Sequence, residues 1–123
     1  MVVDGVTTKA AASAEYSKNI SVENFRQIMI HIEEDNTNAV KAQIEARAAQ
    51  HAKADWIPIT DVQTIAKNGN LVITSLEGVA YPASGVLCCE MLDEPWIEIR
   101  IKYYDSVDAT HGKVYAWVNK RRR

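Results

Sequence analysis

Two segments near the end of the chain alternate apolar and polar residues with a strict period of two. In the first, Ile97, Ile99, Ile101 and Tyr103 fall on one side, and Trp96, Glu98, Arg100, Lys102 and Tyr104 on the other. In the second, Val114, Ala116 and Val118 share one side, while Lys113, Tyr115, Trp117 and Asn119 share the other. Such alternation marks strands with one face buried and one wet. A wet face is expected to be polar, yet this one gathers Trp96, Tyr104, Tyr115 and Trp117 among cations. Paired in one sheet, the two strands would present a single aromatic and basic surface.

Strands are predicted at Leu71–Leu76, Gly85–Leu92, Trp96–Tyr104 and Lys113–Lys120. The breaks between them (Gly78 to Ser84, Asp93-Glu94-Pro95, and Asp105 to Gly112) hold the residues that turns require. Consecutive strands with short links predict an antiparallel meander.

The upstream half carries a different period. Ser21 stands where a helix N-cap belongs, with Glu23 in the first turn. Val22, Phe25, Met29 and Ile32 then recur at three and four residues, the spacing of an amphipathic helix. The polar cluster Asp35-Asn36-Thr37-Asn38 interrupts this stripe, but Val40 and Ile44 return to it. One long helix is predicted from Ser21 to Ala52, about 45 Å long. That exceeds the width of a domain of this size, so the helix either breaks or projects onto a second copy. Its alanines, Ala39, Ala42, Ala46, Ala48 and Ala49, favour helix intrinsically. A short second helix is predicted from Thr60 or Asp61 through Lys67, ahead of Asn68-Gly69. Residues 1–19 read as a polar arm, 20–120 as one domain and 121–123 as a basic tail. The fold class expected is α+β: a long N-terminal helix plus a short helix packed on one face of a four-stranded antiparallel sheet.

At 123 residues, with 47% apolar and 24% charged residues, the composition is that of one globular domain. No apolar run is long enough to cross a bilayer as a helix. Met1 to Lys18 lacks the basic start and apolar stretch of a signal peptide. The expected location is therefore intracellular, or within a particle. The net charge of −2 hides an asymmetry, +5 from Arg100 onward and −7 before it. A basic end on an acidic body suits a polyanion contact, or association of copies head to tail or face to face.

The chemical templates are weakly represented. His51 and Asp55 stand at i and i+4, a spacing that brings two side chains together only on a helix. His31 lies beside Glu34 and Asp35, and His111 sits in a turn-like Thr-His-Gly. The carboxylates Glu33-Glu34-Asp35 and Asp93-Glu94 are adjacent and read as solvated charge. Cys88 and Cys89 are neighbours on a predicted strand and point to opposite faces. No phosphate-cradling glycine loop, nucleophile elbow or paired-cysteine zinc spacing occurs. Neither catalysis nor a cofactor or metal is expected.

What remains is the aromatic face. Trp, Tyr and Arg dominate protein-binding hot spots because they bury much area at little entropic cost. The expected function is a non-enzymatic protein-binding or assembly subunit. It would be homo-oligomeric and a component of a larger particle such as a virion or phage, contacting itself or another protein through Trp96, Arg100, Lys102, Tyr104, Tyr115 and Trp117. Glu98 on that face favours a protein over a polyanion. The alternative is a single-stranded nucleic-acid binder using Arg100, Lys102, Tyr115 and Trp117 with Lys120, Arg121, Arg122 and Arg123. No membrane partner is expected.

Overall fold

A computed structural model of the chain describes residues 1–25, 27–35, 38–51, 53–66, 69–75, 86–88, 96–107 and 111–121. In chain order the strands are β1 (Val3–Thr7), β2 (Glu15–Tyr16), β3 (Ile20–Ser21), β4 (Gln27–Asp35), β5 (Val40–Arg47), β6 (Ile57–Pro58), β7 (Gln63–Ile65), β8 (Asn70–Ser75), β9 (Val86–Cys88), β10 (Glu98–Asp105) and β11 (Lys113–Arg121). The only helical element among the described residues is a single 3-10 turn at Ala11–Ser13. One sheet has the order β1-β11-β4-β8-β9, and the other β2-β10-β5-β6, with β3 also on β10 and β7 also on β5. Every pairing is antiparallel except that of β8 with β9. The two sheets share one core. Ile28, Ile30, Ile32, Val114 and Ala116 come from the first sheet, and Val40, Ile44, Ile65, Ile99, Ile101 and Tyr103 from the second.

The expected α+β architecture is therefore corrected to a two-layered β-sandwich. The long helix over Ser21–Ala52 is replaced by β3, β4 and β5. The stripe Val22, Phe25, Met29, Ile32 fits a helical period, but it passes over Ile28 and Ile30. With Ile32 these form a period-two row, all buried, while on the other side Met29 and Glu33 are exposed and His31 is half-buried. In β5 the buried row is Val40, Ala42, Ile44 and Ala46, with Lys41 and Gln43 half-exposed between them. β-branched residues at alternate positions suit a pleated, half-buried surface better than a helix. The alanines serve packing, not helicity: Ala42 lies opposite Tyr103 in the register, and Ala46 opposite Ile99.

The short helix from Thr60 or Asp61 is likewise replaced by β7. Thr60 caps no helix. Its Oγ1 accepts a hydrogen bond from the Ile44 amide at 3.1 Å, and its carbonyl accepts one from Gln43 Nε2 at 3.0 Å. These bonds hold the bend between β6 and β7 against β5. The meander is corrected too. β10 and β11 form where their alternation predicts, but they are not neighbours: β10 pairs with β2, β3 and β5, and β11 with β1 and β4. The chain between them passes from one layer to the other.

Residues 1–19 carry β1 and β2, with Val3 in the core. Gly5 takes φ +63°, and the β1–β11 register shifts across it, so one residue of β1 bulges. A Cβ there would stand 3.2 Å from the Tyr115 ring. Between β2 and β3, buried Ser17 stands in for a strand rung. Its amide donates to the Ile101 carbonyl at 2.8 Å, and its Oγ accepts from the Ile101 amide at 2.9 Å. Ser17→Ala leaves that amide buried without a partner. It is expected to cost about 1–3 kcal/mol in urea unfolding, and an unchanged midpoint would mean the amide finds another acceptor.

Among the described residues no helix is long and apolar enough to cross a membrane, which says nothing about strands.

Candidate partner-binding faces

Five of the six residues expected on one surface lie on two. Arg100, Lys102 and Tyr104 are on the outer face of the β10 sheet, whereas Tyr115 and Trp117 are on the outer face of the β11 sheet, across the core. Trp96 precedes β10 and packs, half-buried, against the core. Alternation tells which side of a strand is wet, but not which sheet the strand joins. That is why the single face divides.

The β10 face is built on a reciprocal pattern. Glu45-Ala-Arg47 on β5 runs antiparallel to Glu98-Ile-Arg100 on β10, and the register sets Arg100 opposite Glu45 and Glu98 opposite Arg47. Arg100 Nε donates to Glu45 Oε1 at 2.8 Å. Arg47 Nε donates to Glu98 Oε1 at 2.9 Å, and its Nη2 bonds the same oxygen. The carboxylate side chains are only 9% (Glu98) and 11% (Glu45) exposed, so both pairs are largely out of water. Aromatic rings cover them. The Arg100 guanidinium lies 3.9 Å from the Tyr16 ring centroid and 4.3 Å from that of Trp56, and Arg47 lies 4.6 Å from Trp56. A desolvated cation on an aromatic ring is worth about 2 kcal/mol. Tyr16, Arg100, Trp56 and Arg47 thus form one continuous stack, and Tyr16 and Ile57 at its margins are exposed.

Beyond the two ion pairs, this face carries Lys41 and Lys102. Lys41 lies opposite Tyr104 in the register, and the Lys102 ammonium is 5.9 Å from the Tyr104 ring centroid. Among the described residues no carboxylate lies within 4 Å of either lysine.

On the β11 face, Trp117 lies opposite His31 with ring centroids 5.4 Å apart, and Tyr115 lies opposite Glu33. His31 Nε2 stands 3.4 Å from Glu33 Oε1. Met29, Glu33, Asp35 and Asp4 are exposed here. Glu34, expected as solvated charge, points inward and is buried, its Oε1 accepting from the Gly69 amide at 3.3 Å.

Lys120 is spent within the fold, its Nζ donating to the Ser21 carbonyl at 2.9 Å and lying 4.7 Å from the Phe25 ring centroid. Arg121 ends β11, and Arg122 and Arg123 lie outside the described residues, as do Cys89 and Asp93-Glu94. His51 and Asp55 share no helix. Both are exposed in a loop, where His51 Nδ1 accepts from the Lys53 amide at 3.1 Å. His111 Nδ1 is 2.6 Å from Oδ2 of Asp105, a buried carboxylate at the end of β10. No group of three or more His, Cys, Asp or Glu among the described residues is placed to hold a metal.

Tyr16, Trp56 and Lys41 were not anticipated at this site. The repeated Glu-x-Arg was a legible signal for the ion pairs, since antiparallel copies of it pair reciprocally. Nothing in the sequence around Tyr16 or Trp56 announces that both close on Arg100.

No protein-family model and no curated protein sequence matches this chain. Among solved structures, that of PirA is similar over 98% of this chain and 94% of its own, at 8% identity and a TM-score of 0.55. A family 16 carbohydrate-binding module is similar over 94% of this chain and 75% of its own, at 6% identity and a TM-score of 0.46. A structure of infectious bursal disease virus, Gx strain, is similar over 95% of this chain and 29% of its own, at 7% identity and a TM-score of 0.48. The likeness to PirA concerns the fold alone, and the other two are too distant to bear on function.

Proposed function

We propose that this chain is a non-enzymatic protein-binding subunit that assembles with copies of itself, as part of a larger particle such as a virion or at an intracellular site. The observation that supports this reading is the division of the aromatic residues over both outer layers. A module for one small ligand needs one site, whereas a subunit in a ring, filament or particle needs two contact faces. Tyr16, Trp56 and Tyr104 serve one face, and Tyr115 and Trp117 the other. The prearranged Arg100 stack lowers the ordering cost of a contact, which is where binding energy is commonly lost.

The nucleic-acid reading gains less. Arg100 is neutralised by Glu45, and the stacking residues it needs lie on opposite sides of the molecule.

The test is the concentration dependence of solution mass, with absorbance at 260 and 280 nm read on the same peak. Tyr16→Ala, Tyr104→Ala and Trp117→Ala are each expected to weaken self-association at least tenfold while the protein stays folded. Association unchanged in all three would rule out these faces as contacts. Bound nucleic acid shed at high salt would instead favour the alternative.

A further inference from the structure

The two outer faces differ in charge as well as in sheet. On the β10 face the four charges of the Arg–Glu pairs cancel, which leaves Lys41 and Lys102 without a counter-charge among the described residues. On the β11 face Asp4, Glu33 and Asp35 are exposed against one exposed lysine, Lys113, which lies opposite Asp35 in the register without forming an ion pair within 4 Å, and His31 lies beside Glu33. Among the described side chains the first face is thus net basic and the second net acidic.

The spacings also correspond. Lys102 lies opposite Gln43 and Lys41 opposite Tyr104, so the two lysines are diagonal neighbours across β5 and β10. Such neighbours are about 7–8 Å apart. Glu33 and Asp35 are alternate residues on the same side of β4, about 7 Å apart. Two cations and two carboxylates at matched separation can pair one to one. Aromatic rings flank both sets, Tyr104 beside the lysines and Tyr115 opposite Glu33.

From this complementarity we infer that copies of the chain associate head to tail, the Glu33/Asp35 face of one seated on the Lys41/Lys102 face of the next. The inference rests on the assembly reading above and names its partner and polarity. Such a contact is heterologous, using different surfaces on the two copies, so it builds rings or filaments and not a two-fold dimer. Glu33 and Asp35 are exposed and Lys41 and Lys102 half-buried; charges so placed fix register and speed encounter, and the contact weakens as salt screens them.

The test uses two charge-reversed variants of the full chain, Lys41→Glu with Lys102→Glu, and Glu33→Lys with Asp35→Lys. Solution mass is read by sedimentation velocity at low and high salt. Wild type is expected to assemble at low salt, and each variant, carrying one charge sign on both faces, to remain monomeric. An equimolar mixture should regain the wild-type mass, because each variant then offers the other a complementary face. Recovery on mixing cannot come from unfolded chains. Should a reversed variant fail to fold, Lys41→Gln with Lys102→Gln replaces it, and at least a tenfold weaker association is expected. Wild-type assembly that survives either reversal, or a mixture that stays monomeric, overturns the head-to-tail pairing and leaves the assembly reading standing. A wild type that is monomeric at every concentration and salt removes both.

Discussion

Glu98→Ala is expected to lower the stability of the folded chain by about 3 kcal/mol, a fall in melting temperature on the order of 10 °C. The Arg47 side chain is only 13% exposed, and Glu98 takes two of its donors. Its remaining contacts, the Trp56 ring and a 3.4 Å bond to the His51 carbonyl, do not supply a counter-charge. Removing the carboxylate leaves a guanidinium sheltered from water with no anion. Replacing both partners by apolar residues of similar size, Glu98→Leu with Arg47→Met, is expected to restore most of the loss, because no charge then needs solvation. Chemical denaturation of the two variants decides the matter. A Glu98→Ala protein within about 0.5 kcal/mol of wild type would mean that the pair behaves as a solvated surface bridge.

The second large effect is alkaline. Tyr103 is fully buried in the sandwich, and among the described residues its hydroxyl has no hydrogen-bond partner. Burial, with a smaller contribution from the Glu15 carboxylate, pushes its pKa from 10.0 up to about 12. Below pH 10 the phenol is neutral in both folded and unfolded chains, and no stability is lost through it. Between pH 10 and 12 the unfolded chain ionises while the folded one does not, so stability falls through that window. The total is about 3 kcal/mol for a shift of this size. Tyr103→Phe removes the effect. It is expected to be nearly neutral near pH 7, since an unpartnered buried hydroxyl contributes little. Urea midpoints at pH 8 and pH 11.5 for both proteins measure this directly. Parallel losses in wild type and Tyr103→Phe would show that alkaline destabilisation arises elsewhere.

The inward rows of β10 and β11 were legible in the sequence, because alternation needs no knowledge of the rest of the fold. Ile99, Ile101, Tyr103, Val114 and Ala116 are all buried as their spacing requires. The β4–β5 region was not legible in the same way. Sparse apolar residues between 22 and 44 satisfy both a helical and a strand period, and local propensity from the alanines tilted the choice towards helix. Burial resolved it: only the strand period places Ile28, Ile30 and Ile32 together on one covered face.

By itself, then, the sequence determined which positions on the last two strands face inward, the strongly aromatic character of their outer faces, and the basic end carried on an acidic body. Tertiary structure alone decided which strands are neighbours. Pairing depends on residues far apart in the chain, β10 with β5 and β11 with β4, and a two-residue pattern carries no label for its partner. The same pairing separated Arg100 from Trp117, joined Arg100 to Tyr16, Trp56 and Glu45, and left Lys41 and Lys102 without counter-charge among the described residues. Each of these follows from register and layer, which are settled by how the whole chain buries its apolar rows.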